Sequence, residues 1–476
     1  MKIEKSKGFT QGEQGVAEIC EKSFLSLWSY PNLFYEKNKE LCDVLIVFGN
    51  TVFIISEKTS TFDPERRGIK VEWNRFKNNI IDKSYRQLNG AEKRLKQFPD
   101  KIFMDPACTK PFPIPINKNA RFIKISVING LDKINKIRDQ VKEGDIDVPV
   151  DMQIFEMRSD NYIHLLDDYT FPTLFRELDT AADLISYFTK KEDLIVSGKL
   201  VFVPPESDFL VMFLSNFDEN FGEHCFFKDG DKFDRIFIDN PEDPYPVFIN
   251  RPDVIMKKEA NKISYLWDAI IERYNKTLLD DRITGELGFY ERLKISELMS
   301  QENRYFRRML SEKLNVAYNT FNDEINRRVI CMQSPTNKEL VYACLILRRP
   351  FYESNKDYEQ HVNLLMEIYS KSLKMRFPQY KQVLCFTRAF PDEYRSSMYF
   401  SLFDKELSSM DREYVERCSE HYKIATNFAP IMFRHTPEYP KNSDELRVVY
   451  SKKIPVNAKC PCGSGKKYKK CCGKLY

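Results

Sequence analysis

The stretch Cys42-Asp43-Val44-Leu45-Ile46-Val47-Phe48-Gly49-Asn50-Thr51-Val52-Phe53-Ile54-Ile55-Ser56-Glu57-Lys58 sets the fold of the amino-terminal part of the chain. Two apolar, β-favouring runs, Asp43 to Phe48 and Thr51 to Ser56, are parted only by Gly49-Asn50, the composition of a tight hairpin turn. Upstream, Val16, Ile19, Cys20, Phe24 and Leu27 recur at three- and four-residue spacing and predict a helix with one apolar face, ending near Ser29-Tyr30-Pro31-Asn32. Downstream, a polar loop leads to a second helix from about Glu72 to Gln97, with Trp73, Phe76, Ile80, Leu88, Ala91 and Leu95 along it. A short Lys101-Ile102-Phe103-Met104 run, a proline-rich turn and an alternating strand, Arg121 to Asn129, complete an order α-β-β-α-(β)-β.

That order places Asp43 at the start of one strand, Lys58 at the end of the next and Gln87 on the following helix, a set that resembles the PD-(D/E)XK nuclease superfamily over residues 10 to 130. The resemblance implies a restriction-endonuclease-like domain in which Asp43 and an acid two residues before Lys58 hold Mg2+, with Lys58 helping to activate the attacking water. Clustered carboxylates suit a hard divalent ion, which lowers the pKa of bound water, and a lysine stabilises the charge that develops on the phosphodiester. Here the residue two before Lys58 is Ser56, and alternation sends Glu57 to the other face of the strand. Two alternatives stay open: a bulge that turns Glu57 inward, or Glu13 or Glu18 of the first helix supplying the acid. The first helix and hairpin therefore yield two expectations, a Mg-dependent nuclease for DNA or RNA and a non-catalytic adaptor built on a degenerate nuclease-like domain.

Residues 64 to 101 carry eleven Lys or Arg against five acids. Arg66, Arg67, Lys70, Arg75, Lys77, Lys83 and Arg86 are candidates for tracking a phosphate backbone, while Trp73 and Phe76, three apart on a helix, read as core.

The carboxyl end carries Cys460-Pro461-Cys462-Gly463-Ser464-Gly465 and Lys470-Cys471-Cys472-Gly473. Four thiols in a Cys-x-Cys-x8-Cys-Cys pattern match the tetrahedral sulfur sphere of structural zinc, and the Gly-Ser-Gly turn lets both pairs converge. A segment this short has no core of its own, so the metal would supply most of its ordering free energy. These residues resemble the SEC-C motif, best known at the carboxyl end of the preprotein translocase ATPase, over residues 455 to 474. The resemblance implies a zinc-held docking element for a protein partner or the ribosome. From Arg447 onward there are nine Lys or Arg and no acid, so with +4 overall the first 446 residues carry a net −5. No Gly-x-x-x-x-Gly-Lys-Ser/Thr phosphate loop occurs, which sets a P-loop ATPase aside.

With 476 residues, 42% hydrophobic and 30% charged, the chain reads as an α/β (α+β) protein with room for two or three cores. The expected organisation is a nuclease-like domain (1–150), a mixed, mostly helical middle (151–325), a small α/β domain (326–430), a linker (431–454) and the zinc element (455–476). In the middle, Asp179 to Phe188, Ser264 to Lys276 and Glu291 to Ala317 read as helices and Lys199 to Val203 as a strand. Arg328 to Met332, Leu340 to Leu347 and Gln382 to Thr387 read as strands, with helices Tyr358 to Arg376 and Arg412 to Ala425. Glu206, Asp208, Glu223, His224 and Cys225 match no ligand spacing, and Arg304, Arg307 and Arg308 read as surface ion pairs or an anion site. No run nears 18 apolar residues and no signal peptide opens the chain, so a cytoplasmic protein without membrane contact is expected, its eight scattered cysteines reduced.

Overall fold

In the computed structural model the quoted stretch forms β2 (Lys39–Phe48) and β3 (Thr51–Thr59), antiparallel, with Val44 opposite Ile55 and Phe48 opposite Thr51. Gly49 turns the hairpin at φ 55°, a left-handed conformation that costs glycine little. The structure describes residues 2–130, 134, 162–200, 205–228, 235–236, 244–282, 288–322, 325–348, 355–390, 398–422, 430–431, 437–440, 457, 467 and 470. They form a mixed α/β protein in two units, one of Met1–Arg251 with Asn275–Ile283 and one of Pro252–Tyr274 with Thr284–Tyr476.

The first unit is built on a five-stranded sheet in the order β1-β2-β3-β4-β5. β4 (Arg121–Asn129) runs parallel to β3, and β5 (His164–Asp167) parallel to β4. Helix α1 (Gln11–Trp28) starts at Thr10, whose side chain caps the Glu13 N–H, and its last turn is broken at Leu25, φ 62°. The stop expected at Ser29 to Asn32 is instead strand β1 (Ser29–Glu36), antiparallel to β2. Pro31 is tolerated because β1 is an edge strand, and Asn32 takes φ 49° within it. The short strand expected at Lys101 to Met104 is reduced to bridges from Phe103 to Phe34 and Pro111.

Alternation on β3 gives the sheet two distinct faces. Phe53 meets Phe24 of α1 with ring centroids 5.1 Å apart, whereas Ser56 reaches the helix on the other side. That helical segment comprises α2 (Pro64–Arg67), α3 (Ile69–Phe76), a π-helical turn (Lys77–Ile81) and α4 (Asp82–Gln97). Trp73 and Phe76 are stacked in a core cluster with Phe62, Ile81 and Ile128, so neither ring is open to a base. On the α1 face lie α5 (Thr170–Glu177) and α6 (Ala181–Val196), with Phe175 against Phe24 and Phe188 against Phe53. Residues 201–203 of the strand expected from Lys199 to Val203 lie outside the described residues; Leu200 makes a bridge to Ile236. Helices α7 (Glu206–Ser215) and α8 (Tyr245–Phe248) and a small antiparallel pair, β6 (Phe217–Asp218) and β7 (Glu223–His224), also belong to this unit.

The second unit holds the sheet β11-β10-β9-β8. β8 (Arg327–Gln333) pairs antiparallel with β9 (Leu340–Arg348), and β10 (Gln382–Phe390) runs parallel to β9 after a crossover that contains helix Asn355–Arg376. An edge strand that the sequence reading lacked, β11 (Phe400–Phe403), and a closing helix, Ser409–His421, follow. The long helix expected from Glu291 to Ala317 is two, Phe289–Ser300 and Arg304–Asn319, split where Asn303 caps the second. Glu302 sits in the break, fully buried, and accepts hydrogen bonds from Ser334, Thr336 and Tyr342. Arg304, Arg307 and Arg308 are buried, not at the surface: the first two clamp Asp268 at 2.8 and 2.7 Å and the third holds Glu438 at 3.1 Å. Among the described residues no helix is long and apolar enough to cross a membrane.

Candidate functional site

Four polar side chains meet on the α4 face of β2 and β3. Ser56, with no exposed surface, is their hub: its hydroxyl lies 3.1 Å from Asp43 Oδ2 and 3.4 Å from Gln87 Oε1, and its oxygen accepts from Lys58 Nζ at 2.7 Å. A hydroxyl has one proton to give, so Asp43 and Gln87 compete for it. Lys58 Nζ also stands 3.7 Å from Asp43 Oδ2 and donates to the Glu57 carbonyl at 2.9 Å. The Glu57 N–H donates to Asp43 Oδ2. Burial pushes the Asp43 carboxyl above its ordinary range, with Lys58 and the Glu57 N–H pulling it back.

Glu57 points the other way, towards the start of α1. A Cβ at Gly12 would lie 2.7 Å from Glu57 Cδ, so the glycine is what admits this carboxylate. Glu57 accepts from Asn129 Nδ2 at 2.6 Å and Thr59 Oγ1 at 3.1 Å, and burial raises its pKa, with Asp43 and Glu13 adding to the rise. Glu13 accepts from the Phe9 N–H and from Asn32 Nδ2 at 3.0 Å; against the upward push of burial, these bonds and those from Thr10 hold its carboxyl low. Glu18 stays apart: five residues further along α1 it is turned by about 140° and exposed.

Sequence reasoning missed Glu40 and Asn32. Asn32 Nδ2 bridges Glu13 and Glu40, the latter at 2.7 Å, and burial together with Asp43 and Glu13 raises the Glu40 pKa. Their meeting depends on β1, which Pro31 had disguised.

This donor set does not fit a magnesium ion as it stands. The place of the second acid is taken by the Ser56 hydroxyl, a protein cation already lies against Asp43, and among the described residues no three ligating side chains stand close enough to hold a metal. The other acidic group considered from sequence is likewise occupied: Glu206 is bound by Lys191 and Tyr187, and Glu223 by Lys190 at 2.9 Å. Beside the hub, the α2 to α4 segment exposes Arg66, Arg67, Lys70, Arg75, Lys83 and Arg86, while Lys77 is half-buried. Arg67 and Arg75 share buried Glu72, at 3.5 and 4.0 Å.

The tail cysteines Cys460, Cys462, Cys471 and Cys472 lie outside the described residues. Comparison with known proteins assigns the segment: residues 457–474 match the SEC-C motif. Protein translocase subunit SecA of Campylobacter curvus (strain 525.92) is 59% identical over 34 residues, 7% of this chain and 4% of that protein. The SecA of Aliarcobacter butzleri (strain RM4018) is 44% identical over 71 residues, 15% of this chain and 6% of that protein. That of Helicobacter acinonychis (strain Sheeba) is 37% identical over 72 residues, 15% and 8% respectively. The chain thus spans less than a tenth of the length of these relatives, and the likeness belongs to its carboxyl-terminal region. No solved structure matches the chain.

Proposed function

We propose that the first unit is a nucleic-acid-binding module of restriction-endonuclease-like fold that does not cleave, and that the SEC-C tail is a zinc-held docking element for a protein partner. The observation that carries the non-cleaving reading is the Lys58 ammonium, 2.7 Å from Ser56 Oγ and 3.7 Å from Asp43, a built-in cation beside the only acid left in the expected pair. The strand order and the exposed basic residues of α2 to α4 support nucleic acid as the ligand, because phosphate neutralisation dominates such binding. At the tail, Cys460, Cys462, Cys471 and Cys472 supply four thiolates, the donor set that structural zinc prefers, and the neighbouring Lys466, Lys467, Lys469 and Lys470 would lower thiol pKa and offset the charge of the thiolate site. The match to SecA over this segment supports a protein partner.

A second reading, metal-dependent cleavage, is favoured by one observation: Glu13 raises the proton affinity of Glu40, Asp43 and Glu57, and Asp43 that of Glu40 and Glu57, a repulsion a divalent ion would relieve. One incubation series separates the two. Purified protein, with Asp43→Ala and Lys58→Ala controls, is mixed with labelled single- and double-stranded DNA and RNA in Mg2+, Mn2+ or EDTA. Retardation without cleavage in every buffer is expected. Cleavage that needs metal and is lost in both variants would replace the binding reading with the enzyme.

A further inference from the structure

The outer face of α4 carries Lys83, Arg86, Gly90, Lys93 and Gln97, all exposed and spaced three, four, three and four apart. At 100° per residue they fall within an arc of about 80°, and Lys83 to Lys93 spans about 15 Å along the axis. The opposite stripe, Ser84, Leu88, Ala91 and Leu95, is buried against the sheet. On the same helix Lys96 is neutralised by Glu92 at 2.6 Å, and Arg94 donates to the Tyr35 carbonyl. Among the described residues, Lys83, Arg86 and Lys93 have no carboxylate partner; Arg86 Nε donates to the Asp82 carbonyl at 3.2 Å.

Gly90 is out of place on packing grounds. A Cβ there would meet nothing within 4 Å and the backbone is ordinary helix, so neither crowding nor a left-handed conformation calls for glycine, which weakens a helix interior. A gap in the side-chain cover, ringed by Arg86, Lys83 and Lys93, lets a partner's backbone lie directly on the helix.

We propose that this face of α4 seats the sugar-phosphate backbone of a nucleic acid, with Gly90 as the point of closest approach and Lys83, Arg86 and Lys93 neutralising phosphates around it. The proposal rests on the nucleic-acid reading above and adds its contact surface. Charge complementarity selects the occupant: three uncompensated cations along one ridge suit a regularly charged polyanion.

The experiment titrates full-length wild type, Gly90→Ala and Lys93→Gln into fluorescein-labelled 20-mer duplex DNA and RNA in EDTA at several salt concentrations, and records thermal melting of each protein. Gly90→Ala is expected to melt at a higher temperature yet bind about tenfold more weakly, and Lys93→Gln to lower the log-log salt slope by about 1. Opposite signs in the two readouts exclude misfolding as the cause. Wild-type binding with Gly90→Ala affinity unchanged would overturn this surface and leave the nucleic-acid reading standing. No binding by wild type at any salt would overturn that reading, and this surface with it. Equal loss of binding to a polyglutamate control would assign the face to an acidic polypeptide and overturn the proposal.

Discussion

Replacing Lys58 by methionine keeps the apolar stem and removes the ammonium that stands 3.7 Å from Asp43 Oδ2. Asp43 is 5% exposed, and among the described residues its charge then has no ion-pair partner beside it. Deleting one partner of a buried ion pair costs about 3–5 kcal/mol. The Lys58 side chain is 18% exposed, and Asp43 keeps donors from the Glu57 N–H and Ser56, which lowers the expected cost at pH 8 to about 2–3 kcal/mol. The cost depends on pH in a definite direction. The folded pKa of Asp43 lies above its ordinary value, so its contribution is fully present below the unfolded pKa and is lost as pH rises through the folded pKa. Lys58 is the group that most strongly offsets burial at Asp43, so its removal raises the folded pKa further and widens that window. The penalty should therefore be small near pH 4 and grow towards pH 8. Urea unfolding followed by tryptophan fluorescence reads the first unit through Trp28 and Trp73 and the second through Trp267, and a Lys58→Met/Asp43→Asn cycle isolates the pair. A penalty equal at pH 4 and pH 8, or undiminished in the Asp43→Asn background, would refute the reasoning.

Ser56→Asp should place a second carboxylate beside Asp43 in a site without exposure, destabilising the first unit by about 3 kcal/mol in EDTA, and millimolar Mn2+ should recover part of this for the variant alone; a thermal shift with Mn2+ that is the same in both proteins would count against it. Cys462→Ser should reduce bound zinc from about one ion per chain to near none by elemental analysis, leaving the tryptophan-monitored transitions in place; unchanged zinc content would exclude the thiolate site. Arg308→Met removes the guanidinium at 3.1 Å from Glu438 and leaves the Lys257 contact at 2.9 Å, so the second unit should lose about 2–3 kcal/mol and proteolysis near residue 438 should accelerate; unaltered stability and digestion would show that the clasp is not structural.

The hairpin was legible because its two runs are apolar, short and joined by Gly49-Asn50, signals that survive without tertiary context. Strand β1 was not, since Pro31 and Asn32 are turn residues in any local reading and only the edge position excuses them. The loss propagates: without β1, nothing puts Asn32 between Glu13 and Glu40, so half of the polar cluster on the α1 side goes unseen. The split at Gln301-Glu302-Asn303 was hidden for a related reason. Apolar periodicity runs through it, and the hydroxyls of Ser334, Thr336 and Tyr342 that receive Glu302 come from a distant strand and loop. Asp43, Lys58 and Gln87 could be listed from order alone, but their convergence on Ser56 is a matter of register and helix placement. The arginines of the 304 to 308 segment read as surface charge because their partners, Asp268 and Glu438, lie 36 and 130 residues away.

Glu438, 4% exposed and held by Arg308 and Lys257, pins the chain just ahead of the SEC-C motif. Asn457, where the motif match begins, lies seventeen residues beyond Pro440. Covalent geometry limits that distance to about 60 Å whatever path it takes. A partner gripped by the tail is therefore leashed to the protein body, at an effective concentration on the order of 2 mM at sites within that radius. Weak second contacts would suffice at such a concentration, and shortening or lengthening the segment would tune them without altering the motif.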